Sequence, residues 1–408
     1  MDRRTFLTAG CAGTAALSGC LSLLPSGRPD TPLPDTPEGS WTQRGADGAT
    51  TFAPDVAAPP RGNLAWVSKA FTRWEPVIAD GTVYTTNFDP STDGSAFALD
   101  ARDGSERWRT ILDGDGDNAS ALVDGHFVVA HGTELVALDP RNGDIVWRRS
   151  VDGVATNGHF GEWLAADDRT GTVVVPYRDG LKAFRAADGD RRWETAEMAR
   201  QSSKPAIRDG TVYAIGRVDG TDCLAAFALD DGRTRWTAAL DAPAGADPVA
   251  TDRGVLAVDG NTLVVHDPKT GNRRSETTVF EDYEMNGETT VAADDGTAFV
   301  AFDQAGLLAV DIEAGTTRQL HDDRVYGDSF AVGTESVVVA VDGSQYLDSG
   351  YGETITAFDR DTGDVRWNYV MENFHSMTIL PVLVEGAVFF ATSALDGLAV
   401  LGDVDAEG

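Results

Sequence analysis

Ala98-Leu99-Asp100-Ala101-Arg102-Asp103-Gly104, followed by Trp108, is the stretch whose reading decides the fold. The same phrase returns as Ala137-Leu138-Asp139-Pro140-Arg141-Asn142-Gly143 with Trp147. It returns again as Gly189 with Trp193, Gly232 with Trp236 and Gly363 with Trp367. A small apolar pair leads into an acidic or polar residue, a turn ending in Gly, and Trp four residues on. Spacings of roughly 40 residues mark solenoids or propellers.

Between the phrases lie short β-branched runs such as Thr82-Val83-Tyr84, Thr172-Val173-Val174-Val175 and Val388-Phe389-Phe390-Ala391. Most follow a Gly turn (Asp80-Gly81, Asp124-Gly125, Asp209-Gly210, Glu385-Gly386), which signals a hairpin. Each unit therefore reads as four short strands: an inner one, this run, the strand ending in the phrase, and one beginning near the Trp. Four antiparallel strands per period predict an all-β propeller. The phrase Asp can accept from turn amides, and Gly104 or Gly143 can take positive φ. Each Trp is expected to lie between neighbouring blades, burying about 150–250 Å².

The turn glycines are Gly62, Gly104, Gly143, Gly189, Gly232, Gly271, Gly315 and Gly363. Three copies have decayed: Gly271 is followed by Ser275 and Gly315 by Gln319, while Arg185 replaces the Asp before Gly189. Gly62 and Trp66 have no inner strands before them, and the last unit has no Trp strand after it. Together they make one blade, with Leu64–Val67 as outer strand of the C-terminal sheet. The expectation is eight four-stranded antiparallel blades over residues 61–402, closed by that N-terminal strand, with an acidic tail at 403–408. A seven-bladed ring competes if one decayed unit is an insertion. The phrases resemble the quinoprotein-type, pyrroloquinoline-quinone-like repeat over about residues 62–402. That family includes quinone-dependent dehydrogenases and non-enzymatic, BamB-like lipoproteins, so the resemblance implies the fold and leaves the activity open.

Residues 1–24 read as an address. Asp2-Arg3-Arg4-Thr5-Phe6-Leu7 looks like a twin-arginine export signal, and Leu17-Ser18-Gly19-Cys20 resembles a lipobox. Arg3 and Arg4 would direct export, and cleavage would leave Cys20 as a lipidated N-terminus. The implied location is extracytoplasmic, on the outer face of the cytoplasmic membrane. Residues 25–60 carry Pro25, Pro29, Pro32, Pro34 and Pro37 and are expected to form an extended tether, with Trp41 and Phe52 packing on the outside of the domain. Cys223 would be the only other cysteine of the mature chain, a buried thiol rather than half of a disulfide.

The 408-residue chain carries a formal charge of −32, and only four of its 33 basic residues are lysines. Abundant Asp with scarce Lys resembles the proteins of salt-loving archaea, whose carboxylates hold water in concentrated salt. Near 1 M the Debye length falls to about 3 Å, so their repulsion is screened. Nucleic acid is excluded as a partner, because the field repels phosphate. A monomer is expected.

The phrase turns and Gly hairpins share one face. The other face carries the entries to the inner strands, where Glu75, Asn118, His159, Lys204, Asp247, Asn286, Asp328 and His375 would ring the channel mouth. Converging polar groups there are a candidate site for a protein or small-molecule ligand. A dehydrogenase of the resembled family would hold Ca²⁺ and pyrroloquinoline quinone. Glu75, Asn286 and Asp328 are of the right types, but the vicinal cysteines and long insertions of such enzymes are missing. No catalytic residue, metal site or cofactor is therefore expected, and the quinone enzyme remains the alternative. The Asp113–Asp117 run lacks the bidentate Glu of a calcium loop. The charge predicts that the domain unfolds as molar salt is dialysed away. Far-ultraviolet circular dichroism follows this, and a spectrum unchanged in dilute buffer refutes the salt adaptation.

Overall fold

The computed structural model describes residues 30–69, 74–87, 94–112, 118–131, 133–151, 163–177, 180–199, 203–243, 246–280, 289–294, 296–302, 306–342, 352–372, 379–392 and 397–405. The export signal, Cys20, His159, Asn286 and His375 lie outside them, as do the side chains of Asn118 and Asp328. Eight four-stranded antiparallel sheets form a propeller. In blade one the strands are Val77–Ala79, Thr82–Asn87, Gly94–Asp100 and Glu106–Leu112, from the axis outward. Blades two to seven repeat the plan over 118–150, 165–195, 206–239, 249–278, 289–321 and 325–372. Blade eight takes Val382–Val384, Ala387–Thr392 and Gly397–Gly402 from the C-terminus and Asn63–Ser68 from the N-terminus as its outer strand. The split blade is thus present, and the seven-bladed alternative falls.

The hairpins that join the first two strands of a blade lie on the same face as the phrase turns. Asp80, Asp124 and Asp209 have φ near +48°, and each is followed by a Gly of positive φ. This is the backbone that matches the right-handed twist of flanking strands. Cys223 is 3% exposed, and burial pushes its thiol up.

The repeat works between blades rather than within them. Each Trp lies on the phrase glycine of the next blade. A Cβ on Gly104 would stand 2.6 Å from the Trp66 ring, one on Gly143 2.5 Å from Trp108, and one on Gly232 2.6 Å from Trp193. Gly189 meets Trp147 and Gly271 meets Trp236 in the same way. In four of these seams the indole N–H then donates to a carbonyl of that same next phrase: Trp108 to Pro140 (2.9 Å), Trp147 to Ala186 (2.7 Å), Trp193 to Leu229 (2.7 Å) and Trp236 to Pro268 (3.0 Å); the buried Trp66 Nε1 makes no such bond. Closure obeys the same rule. Trp367 of blade seven lies on Gly62 and donates to Pro59 O at 2.7 Å. Gly62 has no positive φ, so the close approach alone demands glycine there.

A second element of the repeat is an arginine beside the Trp position. Arg107 bridges Asp100 (2.8 Å) and the Gly81 carbonyl (3.2 Å). Arg274 bonds Asp267 and the Arg253 carbonyl, and Arg366 bonds Asp359 and Glu335. Hydrogen bonds from Arg274 and Arg366 hold Asp267 and Asp359 at about 2. A guanidinium fork can reach two acceptors in this way; an ammonium presents no such fixed geometry.

The expected tether is, from Asp30 onward, part of the folded domain. Thr31 N donates to Ala65 O at the outer strand of blade eight, and Leu33 N to Arg102 O in the first phrase turn. The chain then crosses to the axis, where Trp41 and Phe52 are fully buried rather than packed outside. The prolines set an extended path, and the aromatic residues bury it.

Gly232 and Gly315 have nearly equal φ, 72° and 67°, but Gly315 faces only Thr277 Oγ1 at 3.2 Å, because Ser275 stands where the Trp would be. Backbone strain from alanine is therefore matched at the two sites. Gly232→Ala should destabilise by about 1–3 kcal/mol more than Gly315→Ala, the range for forced overpacking. Denaturant midpoints in molar salt measure the difference, and equal losses would refute the interlock.

Candidate functional site

Residues 38–57 fill the middle of the ring and touch all eight blades. Trp41 exchanges both backbone hydrogen bonds with Ile78 of blade one (2.8 Å each). Thr42 O accepts from Leu122 of blade two. The Gln43 amide makes a two-way pair with the Ala166 backbone of blade three, at 2.8 and 2.9 Å. Gly48, Ala49, Thr51 and Phe52 then accept in turn from Ile207, Ala250, Ala293 and Val332 of blades four to seven. Glu38 O and Ala57 O accept from Glu385 and Gly386 of blade eight. The inner strands present unpaired backbone groups to the axis, and this segment satisfies one or more in each blade. So tight a circuit bends the backbone: Ala46, Thr50 and Phe52 all have positive φ. Such residues cost on the order of 1–3 kcal/mol each and persist only where surroundings over-determine them.

Three of the expected channel-mouth residues, Glu75, Lys204 and Asp247, converge on this segment. Glu75 Oε2 accepts from Trp41 Nε1 and Gly45 N, both at 2.9 Å. Arg44 spans the ring interior, 3.6 Å from Glu75 and 3.2 Å from Asp247. Asp247 Oδ1 also accepts from Lys204 N at 2.8 Å. The Lys204 ammonium is fully buried and donates to Thr50 Oγ1 at 2.8 Å and to Asp47 O at 3.4 Å. Desolvation pushes it down to about 8, against the pull of Asp247 and Asp47. These groups were legible as a polar ring. Their occupant was not, because proline content read as a spacer; Trp41 and Phe52 were the signal that it packs.

The cofactor of the resembled dehydrogenases finds no fit among the described residues. The carboxylates of Glu75 and Asp247 are already turned onto Arg44, Trp41 and backbone amides of the same chain. Asn286 and the Asp328 side chain lie outside the described residues. Among the described residues no cluster of three or more His, Cys, Asp or Glu could hold a metal.

A cavity of about 860 Å³ opens instead on the turn face, over blades four to seven. Its floor is Asp47, Thr51, Pro54 and Asp55 of the central segment, and its walls include Arg208, Arg253, Asp294 and Arg360. The arginines are each paired with carboxylates: Arg208 with Asp252, Arg253 with Glu313 (3.4 Å), Arg360 with Asp294. Alternating charge of this kind suits a polar ligand with both donors and acceptors. The candidate residues read from the sequence lay on the other face, and nothing in the repeat itself flags these arginines.

Among curated proteins, the chain is similar to the serine/threonine-protein kinase AfsK of Streptomyces coelicolor, 32% identical over 188 residues. That match spans 43% of this chain and 21% of the relative; the Streptomyces griseus protein of the same name gives 32% over 152 residues, 35% and 17%. The chain thus spans about a fifth of the length of the curated relatives it matches. Among solved structures it resembles the quinohemoprotein alcohol dehydrogenase ADHIIG of Pseudomonas putida HK5, at TM-score 0.65 and 14% identity, covering 90% of this chain and 81% of that one. It also resembles a europium-containing methanol dehydrogenase, at TM-score 0.63 and 12% identity, covering 89% and 97%. At such identities these likenesses establish the fold alone. Matches over residues 55–224 and 220–400 take in most of the chain, which belongs to the PQQ-type repeat family described as outer membrane protein assembly factor BamB.

Proposed function

We propose that this protein is a non-catalytic binding or scaffold propeller, exported by the Arg3-Arg4 signal and held at the outer face of the cytoplasmic membrane by lipid on Cys20. The observation that carries the first half is the occupant of the axis. The chain's own residues 41–52 take up Glu75, Lys204 and Asp247, the polar groups that a channel ligand would use. A surface so committed supports holding a shape better than turning over a substrate. Binding then falls to the outer surfaces: the loop-rich face and the mixed-charge cavity of the turn face, each suited to a protein or small polar ligand. The lipobox resemblance at Leu17–Cys20 supports the second half, and among the described residues no helix is long and apolar enough to cross a membrane.

Purified protein in molar salt, given pyrroloquinoline quinone and Ca²⁺, should show no bound-quinone spectrum and no dye reduction with alcohols or sugars. Turnover would overturn the non-catalytic reading in favour of a quinone dehydrogenase. Cys20→Ala should move the protein from the membrane fraction to the medium; retention in the membrane would overturn the lipid anchor.

A further inference from the structure

One histidine stands in the seam between blades four and five, where the fold calls for an apolar residue. Five residues before the phrase glycine, six other blades place Leu99, Leu138, Phe184, Phe227, Val310 and Phe358, all of them buried. Blade five places His266 there, 1% exposed. Packing alone is served by leucine, valine or phenylalanine at this position, so it does not account for an imidazole.

The surroundings fix the state of the ring. His266 Nδ1 lies 3.0 Å from Gly271 O. A carbonyl only accepts, so Nδ1 carries the hydrogen and Nε2 keeps a bare lone pair. Nε2 is buried and has no hydrogen-bond partner among the described residues. The imidazole stacks on Trp236 of blade four, 18° from parallel, with ring centroids 6.4 Å apart. That indole lies on Gly271 and donates to Pro268 O. One phrase turn thus receives the indole of blade four and the imidazole of its own strand together.

A proton on Nε2 brings a charge and a second N–H into this contact, with no acceptor to meet them. The indole face returns little, because cation–π attraction needs the charge within about 6 Å of the ring centroid. The neighbouring charges do not make up the loss. Arg273 opposes the imidazolium and Asp259 favours it, and those two are paired with each other at 3.2 Å. Asp267, next in the chain, is turned onto Arg274 and the amides of its own turn. Blade four faces the turn with Tyr213, whose hydroxyl donates to Pro268 O at 3.4 Å and whose ionisation burial pushes up. Burial is the largest influence on His266 and pushes it below the ordinary histidine value of about 6.5.

We infer that His266 is an acid-operated release in the seam between blades four and five: the neutral ring backs the contact of Trp236 with Gly271, and protonation loosens it. The folded ring takes up this proton less readily than the unfolded chain does. The stability that the neutral imidazole contributes is therefore whole above about pH 6.5 and is lost as the pH falls through the lower value of the folded state.

Blade two supplies the internal control. Its turn makes the same backbone bonds, Asp139 N to Asp144 O and Gly143 N to Asp139 O, as Asp267 N to Asn272 O and Gly271 N to Asp267 O in blade five, and Leu138 stands where His266 does. Hydrogen exchange of the full chain in molar salt is followed by mass spectrometry at about pH 7.5 and about pH 5, with rates corrected for the intrinsic pH dependence of exchange. On acidification, residues 267–272 should lose several-fold more protection than residues 139–144. The excess should vanish in His266→Phe, which adopts the residue of blades three, four and seven, and in His266→Leu, which adopts that of blades one and two. Equal losses at the two turns of the wild-type chain, a comparison that needs no variant, would overturn the release. An excess that persists in either folded variant overturns His266 as its cause.

Discussion

An indole laid on a glycine of the next blade is the contact on which the ring depends. Each Trp brings about 150–250 Å² of surface to a seam between two sheets. Its N–H must also find an acceptor there, because burial without one costs roughly 1–3 kcal/mol. The phrase turn supplies both needs at once: a residue without Cβ under the ring and a carbonyl beside it. Glycine and tryptophan of adjacent blades therefore form one unit although they stand some 35 residues apart, as Trp108 and Gly143 do. The unit also explains the split blade. Gly62 receives Trp367, and Trp66 in turn lies on Gly104, so the ring-on-glycine contact crosses the chain termini as it crosses the seams from blade one to blade five, although the Trp66 N–H finds no acceptor there.

Two seams lack the indole, and other forces hold them. Between blades five and six Phe280 meets Phe302 at 4.4 Å. Between blades six and seven His321 packs on Phe358 at 4.9 Å, and Arg360 reaches back to Asp294 and lies 5.3 Å from the Phe299 ring centroid. The turn-face cavity opens over this same arc.

Much of the ring was legible because its determinants are local. The Asp-Gly hairpins, the alternating β-branched runs and the phrase turns each encode a strand or a corner within a few residues. Counting the turn glycines gave the blade number, and Trp66 without inner strands gave the closure. The central segment escaped because its contacts to the blades are distant in sequence. Gln43 pairs with Ala166 and Thr50 with Lys204, partners more than a hundred residues away that no local pattern couples. The arginine bias was read from the surface inward, as salt adaptation. Arg107, Arg274 and Arg366 give it a further cause within the fold, since each bridges two acceptors that one ammonium would serve poorly.

Eight blades leave an axis lined by the unpaired edges of eight inner strands, and the chain closes it with its own N-terminal segment. That solution has a consequence for assembly. Residues 38–57 find all of their hydrogen-bond partners only when all eight blades stand in place. The strained residues Ala46, Thr50 and Phe52, and the buried Lys204, are unfavourable until that point. Contacts spread over the whole ring thus stabilise the finished propeller far more than any partial one. Because the outer strand of blade eight also comes from the N-terminal end, rim and axis are both closed by the same stretch of chain. Cooperativity in this fold therefore comes less from the repeats, which contact only their neighbours, than from the one segment that touches them all.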